Sequence, residues 1–270
     1  MARQFNGSSQ YYTASSAPIS AVPYSFGAWV RLDAAASGVD DCMMLGDASS
    51  SSYEALQFNT SNGKVRLRTF AGGGSNLGGA LYDTDVWHHV FMVAAATDDR
   101  ALYLDGGGKV TKSTDKTVTM GEMSVGVRTI SSTTNYFQGR IEHAVVYDAA
   151  LTDDEVAALA SGVNPLLVRG GNLVGYWPLW GQHAAEIDLM GTTSLTATGS
   201  PTAANGAPVV MTYDGSGLCP NIVTATVVNP PYSIDAHGMW SAGATTGLRH
   251  QGGASLAQSR QAGATASARI

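Results

Sequence analysis

The chain has 270 residues, of which 44% are hydrophobic and only 13% charged, well below the roughly 25% charge of an average soluble domain. That length suits one large β domain or two small ones with a substantial core. A net charge of −6 argues against nucleic acid as the main partner, and no apolar run reaches the ~18 residues of a membrane-spanning helix.

The 32 glycines, with many Ser and Thr, fit short strands joined by tight turns rather than helices. Charge is unevenly spread. Asp235 is the last acid, whereas Arg249, Arg260 and Arg269 follow it. Two cysteines, Cys42 and Cys219, make neither a disulfide framework nor a metal spacing; two free, partly buried thiols are expected, with a single disulfide between them as the alternative. The start, MARQFNGSSQYYTASS, has no apolar core of a secretory signal peptide, so synthesis in a cytoplasm without secretion is expected.

In chain order, residues 2–14 suggest two short strands around the turn dipeptide Asn6-Gly7. Residues 25–33 (SFGAWVRLD) alternate, with Phe26, Ala28, Val30 and Leu32 on one face. Strands are expected at 42–46, 53–59 and 64–70. In the last of these Val65, Leu67 and Phe70 are assigned to the apolar side, and Arg66 and Arg68 to the opposite one. Residues 71–79 (AGGGSNLGG) are expected to be an exposed loop. Residues 85–107 carry the clearest signal: two apolar runs split by Thr97-Asp98-Asp99, then Asp105-Gly106, which supplies the positive φ angles a type I′ hairpin needs. Strands at 122–128 and 136–147 follow. Thr152-Asp153-Asp154-Glu155 is a capping box opening one short helix, with Gly162 and Asn164-Pro165 ending it. Strand character returns at 172–179 (NLVGYWPL), more weakly at 194–198, and last at 209–213 and 222–228. The tail 241–270 holds too few large apolar residues to offset its ordering entropy alone, so docking on a neighbour is expected.

Five segments carry a resemblance: FNGSSQYYTA (5–14), SFGAWVRLD (25–33), DVWHHVFMV (85–93), RALYLDGG (100–107) and YFQGRIEHAVVYDAALTDDEVAAL (136–159). In order and spacing they resemble the laminin-G-like, concanavalin A-like jelly-roll family, of the type found in phage-encoded proteins. The resemblance implies an all-β, two-sheet antiparallel sandwich over 1–200, one short helix and an extended C-terminal arm over 201–270. One segment is out of order. Members of the family often begin with a stretch like LVGYWPL, which here stands at 173–179, so 172–200 is expected to return as a permuted strand segment.

The family includes glycosidases, whose mechanism needs two carboxyl groups ~5–9.5 Å apart. Their Glu-x-Asp-x-x-Glu or Glu-x-Asp-x-Glu run is missing, Asp98-Asp99 sits in a turn and Glu142 stands alone on its strand, so no enzyme activity is expected. His88 and His89 are neighbours on a strand and point to opposite faces, so they cannot share a metal ion; one is expected inside and the other in solvent. Calcium is the one cofactor left open by the resemblance, through Asp40, Asp41 and Asp47 in one expected loop and Asp105 at a hairpin end. For sugar stacking, Tyr11, Tyr12, Trp180 and Trp240 are the candidates. Two functional readings follow. The first is a non-catalytic virion component, a decoration protein on a phage capsid or tail, assembled with other virion subunits and with itself through the arm that carries Arg249, Arg260 and Arg269. The alternative is a carbohydrate-binding adhesin for host surface glycans.

Overall fold

The computed structural model describes residues 1–113, 115–130, 132–180, 185–191 and 193–207. Cys219, Trp240, the strands expected beyond 208 and the arginines of the arm lie outside the described residues. Among the described residues sixteen strands occur in chain order. They are β1 (Ala2–Asn6), β2 (Tyr11–Ala14), β3 (Tyr24–Leu32), β4 (Val39–Asp47), β5 (Ser52–Asn59), β6 (Lys64–Phe70), β7 (Gly74–Leu81) and β8 (Trp87–Ala96). There follow β9 (Asp99–Leu104), β10 (Gly107–Lys112), β11 (Glu122–Val125), β12 (Gln138–Tyr147), β13 (Leu173–Trp177), β14 (Ala185–Glu186), β15 (Leu195–Thr198) and β16 (Thr202–Ala204). The helix α1 spans Asp153–Ala160.

The strands form two antiparallel eight-stranded sheets. Sheet I runs β10-β9-β8-β3-β12-β1-β16, with β13 also on β12, and sheet II runs β14-β15-β2-β11-β4-β5-β6-β7. Alternating residues from both inner faces make the core, among them Phe26, Val30, Leu45, Phe58, Met92 and Trp177. The 85–107 hairpin forms as its sequence dictates: Asp105 and Gly106 adopt φ of 54° and 72°, the left-handed pair a two-residue turn requires. Both halves of the capping box are made at Thr152 and Glu155. The helix lays Val156 and Leu159 on the outer face of sheet I, over Phe91, Tyr103 and Tyr147.

Strand β12 explains the out-of-order segment. Its first half pairs with β1, Arg3 opposite Ile141, and its second half pairs with β13, Ala144 opposite Trp177. A bulge between Glu142 and Val145 separates the halves, and there the buried His143 takes φ of 52°. Strand β13 thus occupies the place beside β12 that β1 leaves vacant. β15 pairs with β2 in the other sheet, and β16, inside the segment assigned to the arm, pairs with β1.

Among the described residues two buried ion pairs join the sheets. Arg3 on β1 meets Glu186 on β14 at 2.5 Å, and Arg100 on β9 meets Glu54 on β5. Tyr24 and Thr69 also donate to Glu54, at 2.7 and 3.0 Å. A core acid is tolerated only when its oxygens are satisfied in this way.

The two short strands expected around Asn6-Gly7 form and enter different sheets, with Asn6 Oδ1 accepting from the amides of Ser8, Ser9 and Gln10. Two other expectations fail on physical grounds. The glycine-rich 71–79 region contributes to strand β7, because an edge strand needs one ladder, here to β6, and little side-chain packing. Phe70 shares a face with Arg66 and Arg68, as strict alternation from Lys64 demands; all three are half-buried on the outer side of sheet II, while Val65 and Leu67 are buried.

Candidate functional site

At one rim of the sandwich, the β4–β5, β6–β7 and β10–β11 loops enclose an open cleft of about 420 Å³. Its lining is polar: Ser50, Ser52, Thr117 and Thr119 supply hydroxyls, and Asp115 and Lys116 supply charge. The loops are tied together rather than loose. Lys116 Nζ donates to the Ala71 carbonyl at 3.0 Å, Arg100 Nη2 to the Lys116 carbonyl at 2.6 Å and the Thr119 amide to Ser52 Oγ at 3.1 Å. Gly72 and Gly73, with φ of 60° and 149°, let the β6–β7 connection turn where a side chain would be strained.

Beside this cleft, the outer face of sheet II carries a compact array of rings and guanidinium groups. Tyr53 and Phe70 lie on neighbouring strands with centroids 5.6 Å apart and planes within 8°. Arg128 lies over the Tyr53 ring at 5.4 Å and Arg68 over the Phe70 ring at 5.7 Å. Ile130 packs with Met44, Tyr53 and Ala55 to bring the segment after β11 across the sheet, and Arg128 donates to the Tyr53 hydroxyl and to Thr134.

The four aspartates suggested for calcium do not form one site. Val39–Asp47 is a single strand, so Asp40 and Asp41 stand at one end and Asp47 at the other. Asp40 and Asp41 are buried, and burial pushes their carboxyl groups up to about 6 and about 7, the wrong direction for a cation site. Asp47 turns onto Ser49, whose hydroxyl and amide hold it below its usual range. Asp105 belongs to the other sheet and is occupied: it binds His88 Nδ1 and the His89 amide, each at 2.8 Å. Burial opposes its ionisation, but these hydrogen bonds win and lower its pKa. Among the described residues no three of His, Cys, Asp and Glu gather to hold a metal.

The aromatic candidates also separate. Tyr12 is fully buried, under the Arg3 guanidinium, and cannot stack on a sugar. Tyr11 is half-exposed and tilted against Tyr136 at 6.0 Å. Trp180 is 44% exposed. Neither histidine of the pair faces solvent. His88 is held between Asp105 and Asp83, while His89 is buried beside Trp29 and stacks on Phe91 under the cover of α1, where burial drives its pKa down to about 3. The alternation was sound, but α1 covers the face assumed to be wet. Among the described residues His89 Nδ1 has no hydrogen-bond partner, and His89 borders a small void also lined by Trp29, His143 and Pro165. Cys42 is a free, buried thiol.

Two twisted antiparallel sheets, a core between them and ligand-sized relief at a loop rim define a lectin-like jelly-roll sandwich. Residues 6–157 match the laminin G model of the concanavalin A-like lectin/glucanases superfamily, and the chain belongs to that family. No curated protein matches it in sequence. Among solved structures it is similar to a putative carbohydrate binding protein from Bacteroides ovatus, at 16% identity and TM-score 0.57, over 76% of this chain. The chain spans 61% of that protein's length. It is also similar to the heptameric SAP-like pentraxin of Limulus polyphemus, at 11% identity and TM-score 0.52, over 72% of this chain and 94% of that one. A bacteriophage CBA120 tailspike domain matches at 16% identity and TM-score 0.45, over 58% of this chain and 26% of that one. Similarity at these levels establishes the fold and leaves the ligand to the site.

Proposed function

We propose that the chain is a non-catalytic carbohydrate-binding module. The observation that carries this reading is the open polar rim cleft, in which hydroxyl, carboxylate and ammonium groups converge without a buried acid pair. Such short, fixed donors and acceptors suit sugar hydroxyls, which demand many modest hydrogen bonds. Three buried glutamates outside the cleft are engaged elsewhere: Glu54 with Arg100, Glu186 with Arg3, and Glu142 with the N-terminus and His143. On a glycan array, retention of a defined set of sugars that weakens in Asp115→Ala and Ser50→Ala, with no sugar released, is the expected result. Retention of no glycan, or release of reducing ends, overturns it.

The same module would serve on the outside of a phage particle, held by the segment beyond 207. In favour of this, β16, the last described strand, lies at the β1 edge of sheet I, while the cleft belongs to the loops flanking β5, β6 and β10. Deleting 208–270 should abolish incorporation into particles while glycan binding persists. Unchanged incorporation refutes the decoration role.

A further inference from the structure

Strand β6 presents Lys64, Arg66 and Arg68 on its outer side, each about 7 Å from the next. Arg128 reaches the same face from the segment after β11. Among the described residues none of the four forms an ion pair with a carboxylate. Their partners are neutral: Gln57 for Arg66 at 2.7 Å, Asn76 for Arg68 at 3.1 Å, Tyr53 and Thr134 for Arg128. Like charges held this close are destabilising. Burial above all lowers the pKa of Arg66; Asp41 acts against this, and Arg68 and Arg128 add to it. Asp41 gives limited relief, since burial raises its own pKa to about 7. Glu122, on β11, stands three strands away from β6 and accepts from Thr129. The result is a cationic stripe on a protein whose net charge is −6.

The surroundings leave room for a ligand. The neighbouring outer positions of β7 are Gly74, Asn76 and Gly78, all exposed. A Cβ at Gly74 would lie 2.5 Å from Arg68 Nη2, so the guanidinium group rests where only glycine permits it, whereas a Cβ at Gly78 would meet nothing within 4 Å. Phe70, half-buried at the end of the stripe, offers a ring beside the charges.

We propose that the outer face of β6 and β7 binds acidic oligosaccharides, with carboxylates on the forks of Arg66, Arg68 and Arg128 and the apolar side of a sugar ring on Phe70. The guanidinium fork matches a carboxylate with two parallel hydrogen bonds, and a ring face beside it selects a cyclic, partly apolar ligand over a simple anion. This rests on the glycan-binding reading and specifies the sugar class.

Affinity electrophoresis of the full chain tests it, with polygalacturonate, neutral dextran, dextran sulfate and single-stranded DNA in parallel gels. Polygalacturonate should retard the protein, and Arg66→Gln and Arg68→Gln should each weaken this about tenfold or more. Gly74→Ala, which displaces Arg68 without removing charge, should weaken it as well, and Gly78→Ala should not. Folding of each variant is checked by urea unfolding. Retardation by dextran alone, unaffected by the arginine variants, overturns the acidic class and leaves the glycan-binding reading standing; retardation by no glycan overturns both. Equal retardation by DNA and polygalacturonate overturns the proposal in favour of plain ion exchange.

Discussion

Replacing Arg100 with Met tests the buried charge that holds sheet I to sheet II. The substitution keeps the length of the side chain but leaves Glu54, fully buried, with only the hydroxyls of Tyr24 and Thr69 at 2.7 and 3.0 Å. Removing one member of a buried ion pair costs about 3–5 kcal/mol. At ~2–4 °C per kcal/mol for a domain of this size, the melting temperature should fall by about 6–20 °C. The double variant Arg100→Met/Glu54→Leu removes both charges. It leaves two hydroxyls and the Lys116 carbonyl without their partners, at about 1 kcal/mol each, so its loss should be about 2–3 kcal/mol, smaller than that of the single variant. Urea unfolding of the two single variants and the double variant closes the cycle. The reasoning is refuted if Arg100→Met costs less than ~1 kcal/mol, or if the double variant loses the sum of the two singles.

Other outcomes follow from the same structure. Asp105→Ala should cost about 2–4 kcal/mol, because it removes the carboxylate that binds His88 and the His89 amide; Asp105→Gly, which also removes a Cβ held at φ of 54°, should lose less in the same unfolding assay. His89 stays neutral in the fold down to about pH 3, while the unfolded chain protonates it below its ordinary 6.5, so this group makes stability fall as pH drops from 6.5, by up to ~1.4 kcal/mol per pH unit. Asp41 acts oppositely. Its folded pKa of about 7 lies above the unfolded value of 3.8, so its contribution is lost as pH rises between the two. Asp41→Asn should therefore make stability climb more steeply with pH between about 4 and 6.5, and His89→Phe should make it decline, as read from urea midpoints across that range; parallel profiles for the two variants would contradict both assignments. Calcium in excess over chelator should leave the melting temperature unchanged, whereas a site filled at ~100 Kd would add about 2.7 kcal/mol; a rise lost in Asp47→Asn would restore a rim site.

The fold was legible where local chemistry and periodicity agree. Asp105-Gly106 permits little but a tight hairpin, Thr152 and Glu155 start a helix, and the alternation of 25–33 places four apolar residues inward. Position 70 was equally legible, since counting by two from Lys64 puts Phe70 with the arginines; hydrophobic character alone misassigned it. What stayed hidden depends on contacts far apart in the chain. Arg3 and Glu186 are 183 positions apart, and Arg128 reaches Tyr53 across 75, so no window of sequence holds the pair. Burial of Asp40 and Asp41 is similar: as isolated acids they suggest a solvent loop, and only the pairing of β4 with β5 shows them to be strand residues. The rim cleft has no motif because its polar groups come from three loops.

The pairing of β1 with β16 has a mechanical consequence. Ala2 faces Ala204 and Gln4 faces Thr202, so residues 1 and 207 stand side by side, and one carboxylate meets both: Glu142 lies 3.5 Å from the Met1 ammonium and accepts from the Ala207 amide at 2.6 Å. A load applied between these two points does not pull β1 and β16 lengthwise against each other. It peels them apart one rung at a time, beginning at Glu142, so each hydrogen bond in turn bears the whole tension. Under such traction this edge yields first, while the β6–β7 face and the rim cleft remain folded.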